Sequence, residues 1–114
     1  INETYFKHIQ GGESMAGKKY TIAEIKAVVD PIARKYGVER VYLFGSYARG
    51  DFTENSDIDL RVDKGSLKGM FALCELYTEI EEALQTKVDV LTTGSLEDGF
   101  LRKIHNEEVL IYGR

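Results

Sequence analysis

The chain has 114 residues, of which 43% are hydrophobic, and this predicts one small globular domain with a modest single core. Nineteen acidic and fifteen basic residues give a formal net charge of -4 without a Lys/Arg-rich run, which disfavours strong nucleic-acid binding. No apolar run reaches the ~18 residues that a membrane span needs. Cys74 is the only cysteine, which excludes a disulfide framework or a thiolate zinc site within one chain and favours a cytoplasmic location.

Residues 1–17 are expected to form a leader, and residues 18–114 the domain. The first fourteen residues contain no methionine, whereas Met15-Ala16-Gly17 resembles the start of a natural chain. The leader is therefore interpreted as either the remnant of an expression tag or an appended arm. Gly11–Gly12 would be its hinge.

The first predicted helix begins at a capping box, in which Thr21 and Glu24 reciprocally satisfy backbone donors. Apolar residues follow at helical spacing, Pro31 is expected to kink or restart the helix, and Gly37 is expected to end it in a left-handed conformation. Residues 38–44, "VERVYLF", are rich in β-branched and aromatic residues and predict a buried strand.

Two alternating segments flank a second helix. Residues 57–62, "DIDLRV", and 87–92, "KVDVLT", alternate between polar and apolar side chains, which is typical of strands with one polar face. The helix is predicted over 67–84, and Cys74 on it is expected to pack in the core. Its predicted apolar stripe consists of Met70, Leu73, Tyr77, Ile80 and Leu84.

The C-terminal segment predicts one more helix and one more strand. Ser95 is expected to cap a helix that runs to about Asn106, and residues 109–112, "VLIY", to form a short edge strand. Part of this segment is expected to cover the sheet, and the apolar surplus to form a partner surface. Strands alternating with helices in this order predict a small α/β sandwich.

Three aspartates on the alternating strands form a candidate carboxylate set (Asp57, Asp59 and Asp89). Asp57 and Asp59 are two residues apart on one strand, so their carboxylates lie on one face, roughly 6.5 Å apart at the backbone. Two like charges this close repel, and a divalent cation is the simplest way to keep both ionised. Oxygen ligands favour Mg²⁺ or Mn²⁺ over zinc, and three carboxylates suffice for a two-metal site of phosphoryl transfer.

A glycine-serine turn precedes these aspartates and predicts a phosphate corner (Gly45, Ser46 and Arg49). Gly45 lets a phosphate approach the backbone, Ser46 offers a hydroxyl, and Arg49 adds a fixed positive charge. "SYARG" is predicted to open a short helix whose amino end attracts anions. The phosphate corner and the carboxylate set would then meet around one triphosphate and its metal.

Several neighbouring residues have open or ordinary interpretations. Arg61 shares the face of the aspartates and either contacts a phosphate or forms an ion pair with Asp89. Ser56 is expected to cap the turn into the strand, and Tyr47 either packs over the nucleotide or faces solvent. The two histidines, at positions 8 and 105, lack ligand-like spacing and are interpreted as ordinary surface or core residues.

The order and spacing of these motifs resemble the signature of the nucleotidyltransferase superfamily that includes DNA polymerase beta. The resemblance covers about residues 20–112 and implies an α/β (α+β) fold with a mixed sheet and helices packed mainly on one side. The shared pattern consists here of Gly45-Ser46, Arg49-Gly50 and Ser56-Asp57-Ile58-Asp59-Leu60.

The resemblance also implies roles for individual residues. Asp57 and Asp59 are implied as metal ligands, and Asp89 as a third ligand or as the base that deprotonates the acceptor hydroxyl. Gly45 and Ser46 are implied as phosphate holders.

No second domain is expected from the sequence, and the chain therefore resembles the minimal nucleotidyltransferases, which are commonly paired with a HEPN-domain toxin. This resemblance implies an antitoxin that uses Mg²⁺, with two ions possible, to transfer AMP from ATP to a tyrosine of the HEPN protein. Two alternatives are a non-catalytic antitoxin that acts by binding and an enzyme that modifies a small molecule such as an aminoglycoside. A homo-oligomer is compatible with the sequence, which does not reveal the nucleotide preference.

Overall fold

The computed structural model describes residues 19–113. The expected leader at 1–17, its Gly11–Gly12 hinge and His8 lie outside the described residues. The elements, in chain order, are α1 (Ile22–Tyr36), β1 (Arg40–Phe44), α2 (Ser46–Arg49), β2 (Ile58–Asp63), α3 (Gly69–Leu84), β3 (Val88–Thr92), a 3₁₀ turn (Thr93–Ser95), α4 (Asp98–His105) and β4 (Val109–Tyr112). No helix in the described range is both long and apolar enough to cross a membrane.

Helix α1 begins and ends as its sequence predicts. The Thr21 side chain accepts a hydrogen bond from the Glu24 amide, and the Glu24 carboxylate accepts one from the Thr21 amide. Gly37 ends the helix with φ of 72°. Pro31 lies within the helix without interrupting it. Proline has no amide hydrogen to donate to the Ala27 carbonyl, but both residues are exposed, so solvent can bond that carbonyl instead.

The four strands form one mixed sheet in the order β3-β2-β1-β4. β1 pairs antiparallel with β2 and β4, whereas β2 and β3 are parallel and are connected through α3. The predicted mixed sheet and the predicted edge strand at 109–112 are therefore confirmed. β1 and β2 each begin later than expected, at Arg40 and Ile58.

The two faces of the sheet have different roles. One face is apolar and is covered by α1 and α3, as the predicted packing of helices mainly on one side requires. Alternation along β2 places Asp59 and Arg61 on the opposite face. The polar groups are thus kept out of the main core, whose fully buried side chains include Ile25, Val29, Val41, Leu43, Ile58, Leu60, Val62, Leu76, Ile80 and Leu84.

The predicted stripe of α3 is wrong in part. The residues that enter the core are Leu76, Ile80 and Leu84, whereas Met70 is 71% exposed. Ile80 and Leu84 belong to the predicted stripe and Leu73 packs against the core, whereas Leu76, which the stripe omitted, is fully buried and Tyr77 is only half-buried. Cys74, which was expected in the core, is only half-buried.

The C-terminal elements differ from the prediction at their start. Ser95 does not cap a helix, because it ends the 3₁₀ turn and its hydroxyl donates to the Thr92 carbonyl at 2.8 Å. Helix α4 instead begins after Glu97. Ile104 is buried, and Phe100 lies edge-on against Phe44 with ring centroids 5.9 Å apart, so α4 covers one end of the sheet's second face.

Candidate active site

The end of β1 brings the phosphate corner next to the carboxylate set. Phe44 is the last residue of β1 and pairs with Asp59 of β2, so that Gly45 follows directly beside the Asp59 side chain. A Cβ atom on Gly45 would overlap the Asp59 carboxylate oxygen. Gly45 also has φ of 76° and ψ of -156°, a backbone conformation that is nearly restricted to glycine. Both the close approach and the backbone require glycine at this position.

Replacing Gly45 with alanine tests this requirement. We expect Gly45→Ala to lower the free energy of unfolding by about 1–3 kcal/mol, because the residue is strained and its new methyl group displaces Asp59. Denaturant unfolding measures the change. Gly94→Ala is the matched control, since Gly94 has no left-handed φ and no atom within 4 Å of an added Cβ. Equal effects of the two substitutions would contradict the special role of Gly45.

The carboxylate set comes together on the second face of the sheet. Parallel pairing of β2 with β3 places Asp59 opposite Asp89, and Asp57 lies two residues before Asp59. Burial, followed by the negative charges of Asp89 and Asp57, raises the pKa of Asp59 to about 6, while the positive charge of Arg49 acts in the opposite direction. Asp59 therefore lies within electrostatic reach of both other aspartates and of the phosphate corner.

This raised pKa predicts a pH-dependent stability of the metal-free protein. An aspartate in the unfolded chain has its ordinary pKa of 3.8, whereas the pKa of folded Asp59 is about 6. The stabilisation from protonated Asp59 is thus complete below 3.8 and is lost as the pH rises through about 6. We expect unfolding in EDTA to show this loss in the wild type and not in Asp59→Asn. Parallel stability curves for the two proteins would contradict the shift.

The carboxylate set fits a hard divalent cation by donor type and by charge. All three side chains offer oxygen atoms. Burial is the main cause of the raised pKa of Asp59, and the repulsion from Asp89 and Asp57 that adds to it is what a cation between them would relieve. In residues 19–113, however, no group of three or more His, Cys, Asp or Glu side chains is arranged as a metal site. Asp57 is partly exposed and has Lys87 Nζ at 3.9 Å. The fit therefore depends on chemistry rather than on a preformed coordination cage.

The remaining phosphate-corner residues lie on α2, a single helical turn. Ser46 begins this helix and Arg49 ends it, which confirms the predicted short helix. The Arg49 guanidinium donates to Asp51 at 3.2 Å and to Glu107 Oε2 at 3.1 Å. The same Glu107 oxygen accepts the Gly45 amide at 2.7 Å. Glu107 thus connects the C-terminal segment with two members of the corner.

Arg61 does not form an ion pair with Asp89, which was one of its two predicted alternatives. Its side chain is 10% exposed and makes two hydrogen bonds to Glu108, at 2.7 and 3.0 Å. Thr93 accepts a third hydrogen bond, and the Tyr42 ring lies beneath the guanidinium with its centroid 4.0 Å from Cζ. Arg61 lies on the same face of the sheet as Asp59, as predicted. Its side chain binds Glu108 and so joins β2 to the turn before β4.

Tyr47 and Ser56 also have defined positions. Tyr47 is buried and stacked on Phe52 with ring centroids 4.2 Å apart, so neither predicted position, over the nucleotide or in solvent, is correct. Ser56 closes the turn before β2 as expected, because its hydroxyl accepts the Thr53 amide at 2.8 Å. His105 is exposed, with Nδ1 3.3 Å from Glu108.

Sequence reasoning missed Glu107 and Glu108 as parts of the polar face. Both residues lie more than forty positions after the motif that they contact, and no spacing rule connects them to it. The available signal was charge: two adjacent acidic residues before an apolar edge strand, and two arginines near the motif. Charge alone does not reveal which arginine each glutamate binds.

Comparison with known proteins identifies relatives that cover most of the chain. A family model described as polymerase beta, nucleotidyltransferase matches residues 27–114. A Methanocaldococcus jannaschii protein whose name places it among the protein adenylyltransferases is 46% identical over 88 residues, which span 77% of this chain and 95% of that protein. Protein adenylyltransferase MntA of Thermococcus cleftensis is 30% identical over 80% of this chain and 96% of its own length.

Two solved structures have a similar fold. One, described as a minimal nucleotidyltransferase, superposes with a TM-score of 0.69 at 26% identity and covers 81% of this chain and 97% of its own. The other is a chain of a toxin-antitoxin crystal structure with AMP-PNP, with a TM-score of 0.68 at 25% identity over 78% of this chain and 73% of its own.

Proposed function

The chain belongs to the polymerase beta family of nucleotidyltransferases, and from this premise we propose that it transfers AMP from ATP to a hydroxyl group of a partner protein. The observation that carries the proposal is the meeting of the phosphate corner and the carboxylate set: Asp59 lies against Gly45 and within reach of the charges of Arg49, Asp57 and Asp89. The names of the relatives in Methanocaldococcus and Thermococcus support adenylyl transfer to protein.

The proposed reaction is an in-line displacement at the α-phosphorus of ATP. The acceptor oxygen forms a bond to this phosphorus, the bond to the bridging oxygen of the β-phosphate breaks, and pyrophosphate leaves. Asp57 and Asp59 would hold Mg²⁺, and Asp89 would act either as a third ligand or as the base that takes the acceptor proton. Gly45, Ser46 and Arg49 would orient the triphosphate. Bound Mg²⁺, with two ions possible, would neutralise charge on the phosphate oxygens.

We further propose that the acceptor is a tyrosine of a HEPN-domain toxin and that the chain is its antitoxin. Support comes from the similarity to a chain of a toxin-antitoxin structure that contains AMP-PNP, an ATP analogue. The resemblance to stand-alone minimal nucleotidyltransferases supports the HEPN class of partner. The cytoplasm is the proposed location, because it supplies ATP and Mg²⁺.

Incubation with ATP labelled at the α-phosphate tests both parts of the proposal. We expect the label to appear on the purified HEPN protein encoded by the neighbouring gene, only with Mg²⁺, and to be lost when the acceptor tyrosine is replaced by phenylalanine. Neutralisation of the toxin without label would identify a non-catalytic antitoxin instead. Label in a small-molecule fraction would identify an acceptor such as an aminoglycoside.

A further inference from the structure

One carboxylate oxygen of Glu107 accepts two hydrogen bonds from the phosphate corner. Its Oε2 atom is 2.7 Å from the Gly45 amide nitrogen and 3.1 Å from Arg49 Nη1. Both donors belong to groups proposed to face the nucleotide phosphates. No other described side chain hydrogen-bonds to two members of the corner.

The backbone around Glu107 is held firmly in place. The amides of Glu107 and Glu108 both donate to the Ile104 carbonyl at 3.0 Å, so the turn is tied to the end of α4. Ile104 is buried, and the adjacent Glu108 side chain is fixed by Arg61. The Glu107 side chain itself is 22% exposed. A carboxylate that is attached to such a turn can define the position of the groups that it binds.

We infer that Glu107 is a positioning residue of the phosphate corner, a role that rests on the proposed function. Its carboxylate gives the part-buried Gly45 amide a charged acceptor and so helps to maintain the unusual backbone conformation of this glycine. It also restrains the Arg49 side chain, which is 47% exposed and for which the exposed Asp51 is the other carboxylate partner among the described residues. The corner is thereby organised before ATP arrives, which lowers the entropic cost of binding.

A second interpretation of the same contacts predicts the opposite change in ATP affinity when Glu107 is removed. If the Glu107 oxygen occupied the place of a phosphate oxygen and had to leave on binding, then its removal would strengthen ATP binding. A positioning residue has the reverse effect, because its loss leaves the Gly45 amide and Arg49 less ordered. The direction of the change in dissociation constant therefore separates the two.

The test compares Glu107→Ala and Glu107→Gln with the wild-type protein by calorimetric titration with ATP and Mg²⁺. We expect Glu107→Ala to raise the dissociation constant about tenfold, as expected for the loss of charge-assisted hydrogen bonds. Glu107→Gln keeps an acceptor oxygen of the same shape and is expected to restore most of the affinity. Glu82→Gln, the same change at an exposed position of α3 on the covered side of the sheet, should leave the dissociation constant unchanged.

Two further readouts separate positioning from a general effect on the fold. The Arg49 Nη1–H signal in the NMR spectrum of the nucleotide-free protein should move toward that of a freely rotating guanidinium in Glu107→Ala, because Nη1 is the atom that donates to Glu107, while the unfolding midpoint changes little. In transfer assays the KM for ATP should rise by a larger factor than kcat falls. An unchanged or lower dissociation constant in Glu107→Ala, or an Arg49 signal that is unaffected, would overturn the inference.

The same titration distinguishes failure of the inference from failure of the proposed function. A wild-type protein that binds ATP but labels no partner would contradict the proposed acceptor, and the comparison of dissociation constants would still decide the role of Glu107. If the wild type bound no ATP at millimolar concentration, both the proposed function and the inference would fail.

Discussion

Asp59→Asn is expected to lower adenylyl transfer by about three orders of magnitude, which corresponds to about 4 kcal/mol of transition-state stabilisation. Asp59 is the member of the carboxylate set that lies against Gly45 of the phosphate corner, and it interacts electrostatically with both other aspartates. Asparagine has a similar shape but lacks the charge that would hold a divalent cation. Initial rates of label transfer at saturating ATP and Mg²⁺ measure the loss.

The fold should survive this substitution. Neutralising Asp59 removes like-charge repulsion from Asp57 and Asp89, so at pH 7 the metal-free variant should be at least as stable as the wild type. Asp30→Asn is the matched control, because Asp30 lies on α1 and forms an exposed pair with Arg34. Retention of more than about a tenth of the wild-type rate in Asp59→Asn would remove this residue from the proposed metal role.

Glu108→Ala is expected to produce the largest loss of stability, roughly 3 kcal/mol. The side chains of Glu108 and Arg61 are 6% and 10% exposed and are joined by two hydrogen bonds. Removal of the glutamate leaves the Arg61 guanidinium buried. Among the described residues, Asp63 at 3.4 Å is then its only carboxylate within salt-bridge distance. For a domain of this size the midpoint of thermal unfolding should fall by more than about 10 °C.

Two comparisons make this second prediction specific. Asp30→Ala breaks the exposed pair with Arg34 and should change the unfolding free energy by less than about 0.5 kcal/mol. The double variant Arg61→Leu/Glu108→Leu should recover most of the stability, because it removes both buried charges at once. If Glu108→Ala unfolded no more easily than Asp30→Ala, then the buried pair would have no special importance.

Much of the fold could be predicted because local patterns determine it. The capping box at Thr21 and the glycine at position 37 set the bounds of α1, and alternation in "DIDLRV" placed Asp59 and Arg61 on one face. The buried face of α3 was harder to predict in full, because apolar residues occur on two adjacent helical stripes and only tertiary packing selects Leu76 rather than Tyr77. Ser95 failed as a cap because the chain makes a 3₁₀ turn before α4, which propensity alone does not distinguish from a helix start.

The candidate site could be predicted only in its local part. Gly45 and Asp59 belong to one hairpin-like unit of β1 and β2, and their proximity follows from short-range pairing. The partners of Arg49 and Arg61 come from the turn before β4, 58 and 47 residues away along the chain. Such contacts depend on the order of strands in the sheet, which periodicity within a single strand does not specify. The catalytic and metal-binding roles of the carboxylate set remain predictions.

The position of β4 has a consequence for the nascent chain. Strands β1 and β2 can pair as soon as both have left the ribosome. Strand β4, which pairs with the other edge of β1, is synthesised last among the described elements, directly after Glu107. Until then one edge of β1 is open and the Gly45 amide lacks its carboxylate acceptor. We therefore expect the ability to take up ATP to emerge abruptly once Glu107 and β4 have left the ribosome, rather than to grow with chain length.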